Sequence, residues 1–327
     1  MRYGRVMHDK AILSVIVPMY NVEKYLSLCL DSLFRTEGID DTEIILVDDG
    51  STDKTCEIAD KYSKEHGNIT VLHKANEGPS AARNAGLSKA SGEYVFFCDS
   101  DDEVDPALFG KILKLLKTSR DDMIMWDSKL IYDLHSLASK KDDGYFAHYG
   151  LPREEKTYTG RQIIETLILK SKGFIATVWQ GAYRRDYLIS NDLFFEEKVI
   201  YEDELWVPRV LLKAEAIRYI PEKVYLYRIR QGSITNPETE DREKNVRSLV
   251  YVYPALYKFY DEELDGDPLK EIVVGNLTRK YLHMIFRYRL YRHDNGKAID
   301  KKLLWRTSRR LRDKFLVVLL CIVAPRV

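Results

Sequence analysis

Cysteine is scarce in this 327-residue chain. Cys29, Cys56, Cys98 and Cys321 are scattered, with no C-x-x-C pair. That pattern argues against a disulfide framework and for a reducing compartment. The seven histidines are dispersed and form no H-E-x-x-H or similar pair, so no zinc site is expected. Net charge is missing too, with 51 Lys plus Arg against 51 Asp plus Glu, which removes the electrostatic case for nucleic acid or an acidic partner. No apolar run reaches the roughly 20 residues that span a bilayer as a helix. The N-terminus has no apolar stretch of the secretory type. These absences together predict a cytoplasmic protein. Repeats and low-complexity tracts are also lacking.

What is present is an ordinary apolar fraction of 45 %, enough for a substantial core, and 22 tyrosines, a high count. Tyrosine suits surfaces that stack on flat rings or sugars, and it equally suits a helical core. From about Leu13 to Lys117 strands and helices alternate. Short apolar runs at Ser14–Val17, Glu43–Val47, Ile69–Leu72 and Tyr94–Cys98 read as buried parallel strands. Helix starts are signalled between them: Asn21 before Val22, Leu26, Leu30 and Leu33; Ser51 before Ile58 and Tyr62; Pro79; and Asp105-Pro106. The expectation is an α/β fold with a doubly wound, mostly parallel, Rossmann-like sheet.

Further on, Tyr132–Thr157 is polar and reads as an excursion that includes Lys140-Lys141-Asp142-Asp143-Gly144. Thr159-Gly160 opens a helix through Ile163, Ile164, Leu167 and Ile168, and a strand pair is expected at Ala216–Ile220 and Val224–Tyr227. From about Glu240 the pattern is helical. Two regions follow: residues 11–235, with a nucleotide-binding half at about 11–117 and an acceptor half at about 118–235, and a C-terminal helical extension over residues 236–327.

The run Tyr94-Val95-Phe96-Phe97-Cys98-Asp99-Ser100-Asp101-Asp102 carries the chemistry. A buried strand delivers three carboxylates, and nothing within the nine residues neutralises them. A divalent metal with a preference for oxygen, Mg²⁺ or Mn²⁺, would do so, and a solvated acidic turn is the alternative. In doubly wound sheets ligands bind beyond the carboxyl ends of the strands. Pro18-Met19-Tyr20-Asn21, Asp48-Asp49-Gly50-Ser51 and Asp99-Ser100-Asp101 all fall at such ends. An aspartate of the second cluster either meets a base or ribose or caps the next helix. Tyr20 either stacks on a base or packs under the first helix. In Asn76 to Gly86, small residues would let a helix sit close to the sheet, and Arg83 either reaches a phosphate or pairs with an aspartate. Tyr201-Glu202-Asp203-Glu204-Leu205-Trp206 puts acids at a helix start, where they either complement its dipole or supply a general base.

Together these segments resemble the nucleotide-sugar-dependent family 2 glycosyltransferases of GT-A fold. The resemblance is carried by Ser14 to Asn21, Glu43 to Asp53, Asn76 to Gly86 and Gly92 to Asp102. It is strong over the first third of the chain and weaker to about Thr235. It implies that Pro18, Tyr20 and Asn21 line the nucleotide pocket, that Asp49 contacts the base, and that Arg83 lies near the phosphates. It also implies that Asp99 and Asp101 form a D-x-D element, with Asp101 on the metal and Asp99 nearer the ribose and metal shell. Asp203 matches the aspartate of a Glu-Asp pair that serves as catalytic base. Tyr227-Arg228 with Ser233-Ile234-Thr235 resembles a segment closing over the donor diphosphate. Two departures stand out: Gln180-Gly181 replaces an Asn-Lys pair after Trp179, and Tyr201 stands where a glycine often precedes the Glu-Asp pair.

The implied activity is metal-assisted transfer, with inversion, from a nucleoside diphosphate sugar to a saccharide or lipid-linked saccharide hydroxyl. Uridine is the base by family frequency. A non-catalytic nucleotide-sugar-binding scaffold is one alternative. A sugar-phosphate nucleotidyltransferase is another, although the Gly-rich basic loop it needs is not found at Pro18–Asn21. Lys301 to Lys314 holds seven Lys or Arg and one acid, and the apolar Phe315 to Ala324 follows. This tail reads either as an amphipathic helix on the inner face of the cytoplasmic membrane or as a terminal helix packed on the domain.

Overall fold

The computed structural model describes residues 11–133, 151–170, 176–230, 242–292 and 298–324. The four apolar runs near the N-terminus become strands alternating with helices: β1 (Leu13–Met19), α1 (Leu26–Phe34), β2 (Thr42–Asp48), α2 (Thr55–Glu65), β3 (Ile69–His73), α3 (Pro79–Lys89) and β4 (Tyr94–Phe97). Then come β5 (Glu103–Val104), α4 (Pro106–Leu116), β6 (Met123–Tyr132), β7 (Lys156–Tyr158), α5 (Gly160–Lys170), β8 (Gly181–Arg184), α6 (Arg185–Ser190), α7 (Glu202–Lys213) and β9 (Ile217–Ile229). Helices close the chain: α8 (Arg242–Glu263), α9 (Leu269–Arg287), α10 (Lys301–Thr307) and α11 (Leu311–Val323).

The strands form one nine-stranded sheet in the order β3-β2-β1-β4-β8-β6-β9-β5, with β7 paired to β9. Its long ladders, β1 with β2, β2 with β3, β1 with β4 and β6 with β9, are parallel, while β8, β5 and β7 run against the rest. The order reverses between β1 and β4, and such a switch point opens a crevice at the carboxyl ends.

Side chains alternate between the two faces of the sheet. From β1, Ile16 joins Ile45, Val95 and Phe97 in one core, while Val15 and Val17 join Ile44, Leu46 and Phe96 in the other. The first core continues without a break into Val252, Leu256 and Tyr260 of α8 and Val273 and Val274 of α9, across the expected boundary near residue 235. Helix α3 lies close on the sheet, as its small residues suggest. A Cβ on Gly86 would come within 2.3 Å of Ile16 Cγ2. Pro18 is tolerated within an interior strand because β4 pairs with β1 only as far as Ile16.

Several expectations need correction. The strand pair expected at 216–227 is the single strand β9. Around Pro221-Glu222 it slips register against β6 instead of turning back, so the apparent turn is a bulge. The long strand β6, which carries part of the sheet's interior, was not anticipated. Helix α1 starts at Leu26 rather than just after Asn21, because Asn21 adopts a left-handed conformation (φ 52°) and the chain turns before the helix begins. The basic tail is two helices broken at Ser308–Arg310, not one. The Lys140–Gly144 run and Ser233-Ile234-Thr235 lie outside the described residues.

Candidate active site

The carboxyl ends of β1 and β2 are tied together by side chains crossing between their loops. Asn21 donates its N–H to Ser51 Oγ at 3.1 Å, and its Oδ1 accepts from Thr52 N at 2.8 Å. Val22 N donates to Thr55 Oγ1 at 2.8 Å. Asn21 therefore fixes the two loops to each other. Tyr20, beside it, is half exposed, with its ring open to a flat ligand.

Asp48 and Asp49 are both buried and already have partners. Asp48 accepts from Ser51 N at 3.2 Å, from the Cys56 thiol at 2.9 Å and faces His73 Nδ1 at 3.4 Å. The hydrogen bond that the Cys56 thiol donates to Asp48, with burial added, pushes that thiol up to about 11. Among the described residues, Asp48, Cys56 and His73 bring three donor atoms within 4.8 Å. The sequence hid this grouping because β2, α2 and β3 each supply one member. Asp49 accepts from Lys74 Nζ (2.8 Å), Glu77 N (3.0 Å) and Gly78 N (2.7 Å). It thereby anchors the loop before α3, and a carboxylate has about one further acceptor position left for a base.

At the end of β4 the acids do have cations, one from the preceding helix α3 and the others from far along the chain. Arg83 Nη2 donates to Asp99 Oδ1 at 2.9 Å. Arg230 Nε donates to Asp101 Oδ2 at 2.7 Å. Asp102 accepts from Tyr225 Oη at 2.7 Å and from Arg228 N at 2.6 Å, which pins the end of β9. Arg228 also donates to the Asp101 carbonyl, Asp133 and Glu103. Both arginines lie over the Tyr25 ring, 5.6 and 5.1 Å from its centre, and Tyr25 Oη donates to Asp133 at 2.7 Å. The premise that these carboxylates lack a counter-charge holds only within their own nine residues.

Neutralisation is nevertheless incomplete. Burial, and then the charge of Asp99, hold the Asp101 carboxyl above its usual range despite Arg230. Burial and the charges of Asp101 and Asp99 push Asp102 well above it. Asp99 and Asp101 each keep one carboxylate oxygen with no partner among the described residues. Two hard oxygen donors in a net acidic cluster fit Mg²⁺ or Mn²⁺, which typically bind through one or two carboxylates plus substrate phosphates.

Arg83 also reaches the other side of the crevice. Its Nη1 donates to Glu202 Oε1 at 2.5 Å, so one buried guanidinium joins the β4 end to the start of α7. Burial opposes its charge, but Asp99 and Glu202 outweigh burial and raise its pKa. Of the two sequence readings for Arg83, the structure realises the ion pair. Next to Glu202, Asp203 sits in the first turn of α7, where Glu204 N donates to Asp203 Oδ1 at 2.8 Å. Burial, followed by the charges of Glu202 and Glu204, raises Asp203 well above an ordinary carboxylate. Tyr201, just before the Glu202-Asp203 pair, has a left-handed φ of 68°. Glu204 in turn is gripped by Lys280 of α9 at 2.5 Å. Gln180 is buried, and a Cβ on Gly181 would meet Ile124 O at 2.5 Å, so this pair serves close β8–β6 packing.

The sequence-predicted residues thus come together in two groups, Asn21 with Asp49's loop and Asp99, Asp101, Arg83 and Arg228 with the start of α7. Tyr25, Asp133 and Arg230 were not picked out, and Glu202 was noted only as part of the acidic helix start, not as a partner of Arg83. Two carboxylate elements are joined by one arginine at a sheet switch point. Residues 14–189 match the sequence model of Glycosyl transferase family 2.

The chain is a family 2 glycosyltransferase.

The uncharacterized glycosyltransferase EpsJ of Bacillus subtilis is 32 % identical over 89 % of this chain and 82 % of its own length. Glycosyltransferase GlyG of Streptococcus pneumoniae is 31 % identical over 88 % of this chain and 99 % of its own length. In fold, the glycosyltransferase resembles Staphylococcus aureus TarS, solved with UDP-GlcNAc, at a TM-score of 0.60 and 22 % identity, covering 94 % of this chain and 79 % of that one. The family match covers the β1, β2 and β4 ends and Arg83 and stops before Asp203.

Replacing Arg83 by methionine strands Asp99 and Glu202 without their shared cation. Removing one member of a buried ion pair costs about 3–5 kcal/mol. A fall of that size in the denaturant-derived unfolding free energy is expected, whereas Lys114→Met, which breaks an exposed pair with Glu37, should leave it nearly unchanged.

Proposed function

We propose that this glycosyltransferase moves a sugar, with inversion at the anomeric carbon, from a UDP-sugar to a hydroxyl of a saccharide or lipid-linked saccharide. The observation that carries the proposal is Arg83. By bonding both Asp99 and Glu202 it sets a donor-side carboxylate element and Asp203 across one crevice.

In this reading the donor lies along the sheet edge. The base rests against Tyr20 and the Asn21–Thr52 bridge, with the free acceptor position of Asp49 turned to it. UDP is supported by the TarS relatives, among them a poly(ribitol-phosphate) β-N-acetylglucosaminyltransferase 28 % identical over 89 % of this chain and a TarS structure with UDP-GlcNAc. Asp99 and Asp101 would hold Mn²⁺ or Mg²⁺, which when bound neutralises charge that builds on the departing diphosphate. Arg228 and Arg230, at the same strand end, add positive charge on that side.

The acceptor hydroxyl acidifies only as it attacks, so a base is needed on the face away from the leaving group. Asp203 fits that role because a carboxylate raised by burial is a stronger base than an exposed one. A single base with a single displacement inverts the anomeric centre, and among the described residues no second carboxylate is set aside as a covalent nucleophile.

A thermal-shift screen of nucleoside diphosphate sugars with Mn²⁺ identifies the donor. Proton NMR of the transferred sugar with that donor should then show the anomeric configuration opposite to the donor's. Retention would overturn the single-displacement reading.

A further inference from the structure

We infer that α11 lies on an anionic lipid surface with its outward apolar stripe inserted among the head groups. The inference does not depend on the transfer reaction.

The helix is apolar on two opposite sides. Asp313, Val317, Leu320 and Ala324 turn inward, and Val317, Leu320 and Ala324 pack in a core with Tyr281, Leu282 and Ile285 of α9. On the opposite side Leu311, Phe315, Val318 and Ile322 fall at spacings of four, three and four, a single helical stripe. They are 88, 65, 45 and 74 % exposed. Scattered exposed apolar residues are ordinary, but four aligned on one helix face are not.

Charge selects the occupant. At 100° per residue, Arg312 flanks the stripe on one side and Lys314 on the other, with Arg310 at the helix start. Arg306 and Lys302, on α10, are exposed as well. The only acid between Lys301 and Lys314 is Asp313, and it is buried; Arg309 pairs with Glu271 of α9, so the basic flank is formed by Arg310, Arg312 and Lys314 at the N-terminal end of α11. An apolar stripe between basic flanks fits an anionic interface. A second copy of this face would instead bring like charges together.

Length fixes the orientation. Thirteen residues make a helix of about 20 Å, short of the roughly 30 Å hydrocarbon core. Among the described residues no helix is long and apolar enough to cross a membrane. The helix therefore lies in the plane of the surface. Beside it sits Trp305, 46 % exposed, with Lys314 Nζ 5.3 Å from its ring centre. The other three tryptophans are buried, so Trp305 reports on this face.

The test uses the full chain with vesicles of phosphatidylcholine alone or with about one third phosphatidylglycerol. Sedimentation should recover the protein with the anionic vesicles, and tryptophan emission should shift to shorter wavelength. Near an anionic surface each Lys or Arg contributes roughly a fivefold factor, so R310Q with R312Q should weaken binding about 25-fold. F315E with I322E, both at exposed positions, should reduce it at least about a hundredfold while leaving melting temperature and mass in solution unchanged. Equal binding to neutral and anionic vesicles, or none to either, overturns the inference. So does a dimer that the same double substitution dissolves, because the stripe would then belong to a second copy.

Discussion

Asp203→Asn is expected to lower the turnover number by roughly 10²–10⁴-fold, the usual contribution of a positioned base, with donor affinity unchanged. The amide is nearly isosteric, and its oxygen can still accept from Glu204 N, so the first turn of α7 keeps its geometry. What is lost is only the ability to take a proton. The raised pKa of Asp203, due to burial and then to Glu202 and Glu204, adds a pH signature. The residue must be ionised to act, so activity falls as pH drops, and the acid limb lies above the value of about 3.9 for a free aspartate. The stability effect has the opposite sense. A carboxyl whose folded pKa is raised favours the folded state while protonated, and that contribution disappears as pH rises through the folded value. At neutral pH the asparagine variant should therefore be at least as stable as the parent. An inactive variant that is also strongly destabilised at neutral pH would mean that Asp203 is structural.

The second large effect is expected from Asp101→Ala. Arg230 holds one oxygen of Asp101, and among the described residues no other side chain takes the second, so two roles are available to it. Substitutions of groups that merely orient metal ligands cost about 10–100-fold in metal affinity, so loss of a direct ligand should cost at least about a hundredfold. Calorimetry of UDP binding with and without Mn²⁺ should show an enhancement by the cation in the parent and none in the alanine variant. Arg230→Gln separates the roles. It frees Asp101 Oδ2, so the cation's effect should persist or grow. If the two substitutions behave alike, Asp101 is only the partner of Arg230.

Sequence reading reached some of this and missed the rest for identifiable reasons. Strands β1, β2 and β4 were legible because both of their faces are covered, which leaves unbroken apolar runs. The run expected at Ile69–Leu72 is also a strand, but a half-exposed one at the sheet edge rather than a buried one. Strand β6 was not legible, because Asp127, Ser128 and Lys129 interrupt it where its register against β9 slips. In β9, Pro221-Glu222 has the composition of a turn but the geometry of a bulge. The acids of the site could be read from local motifs. Of their cations, Arg83 was read as a possible partner of an aspartate, but its second bond to Glu202, 119 residues away, and the bond of Arg230 to Asp101, 129 residues away, could not be read. Asn21 was noticed as a helix start and proved to be a cross-link between loops. Nothing in its own neighbourhood carries that information, because Ser51 and Thr52 are 30 and 31 residues away.

The most direct measurement is the rate of nucleoside diphosphate release by the wild-type protein, stripped of metal and then titrated with Mn²⁺ in the presence of its donor and an acceptor. If Asp99 and Asp101 hold a cation on the donor diphosphate, the rate should climb from near zero to a plateau and return to near zero on chelation. An undiminished rate in excess chelator would contradict that assignment and leave the two carboxylates as partners of Arg83 and Arg230 alone.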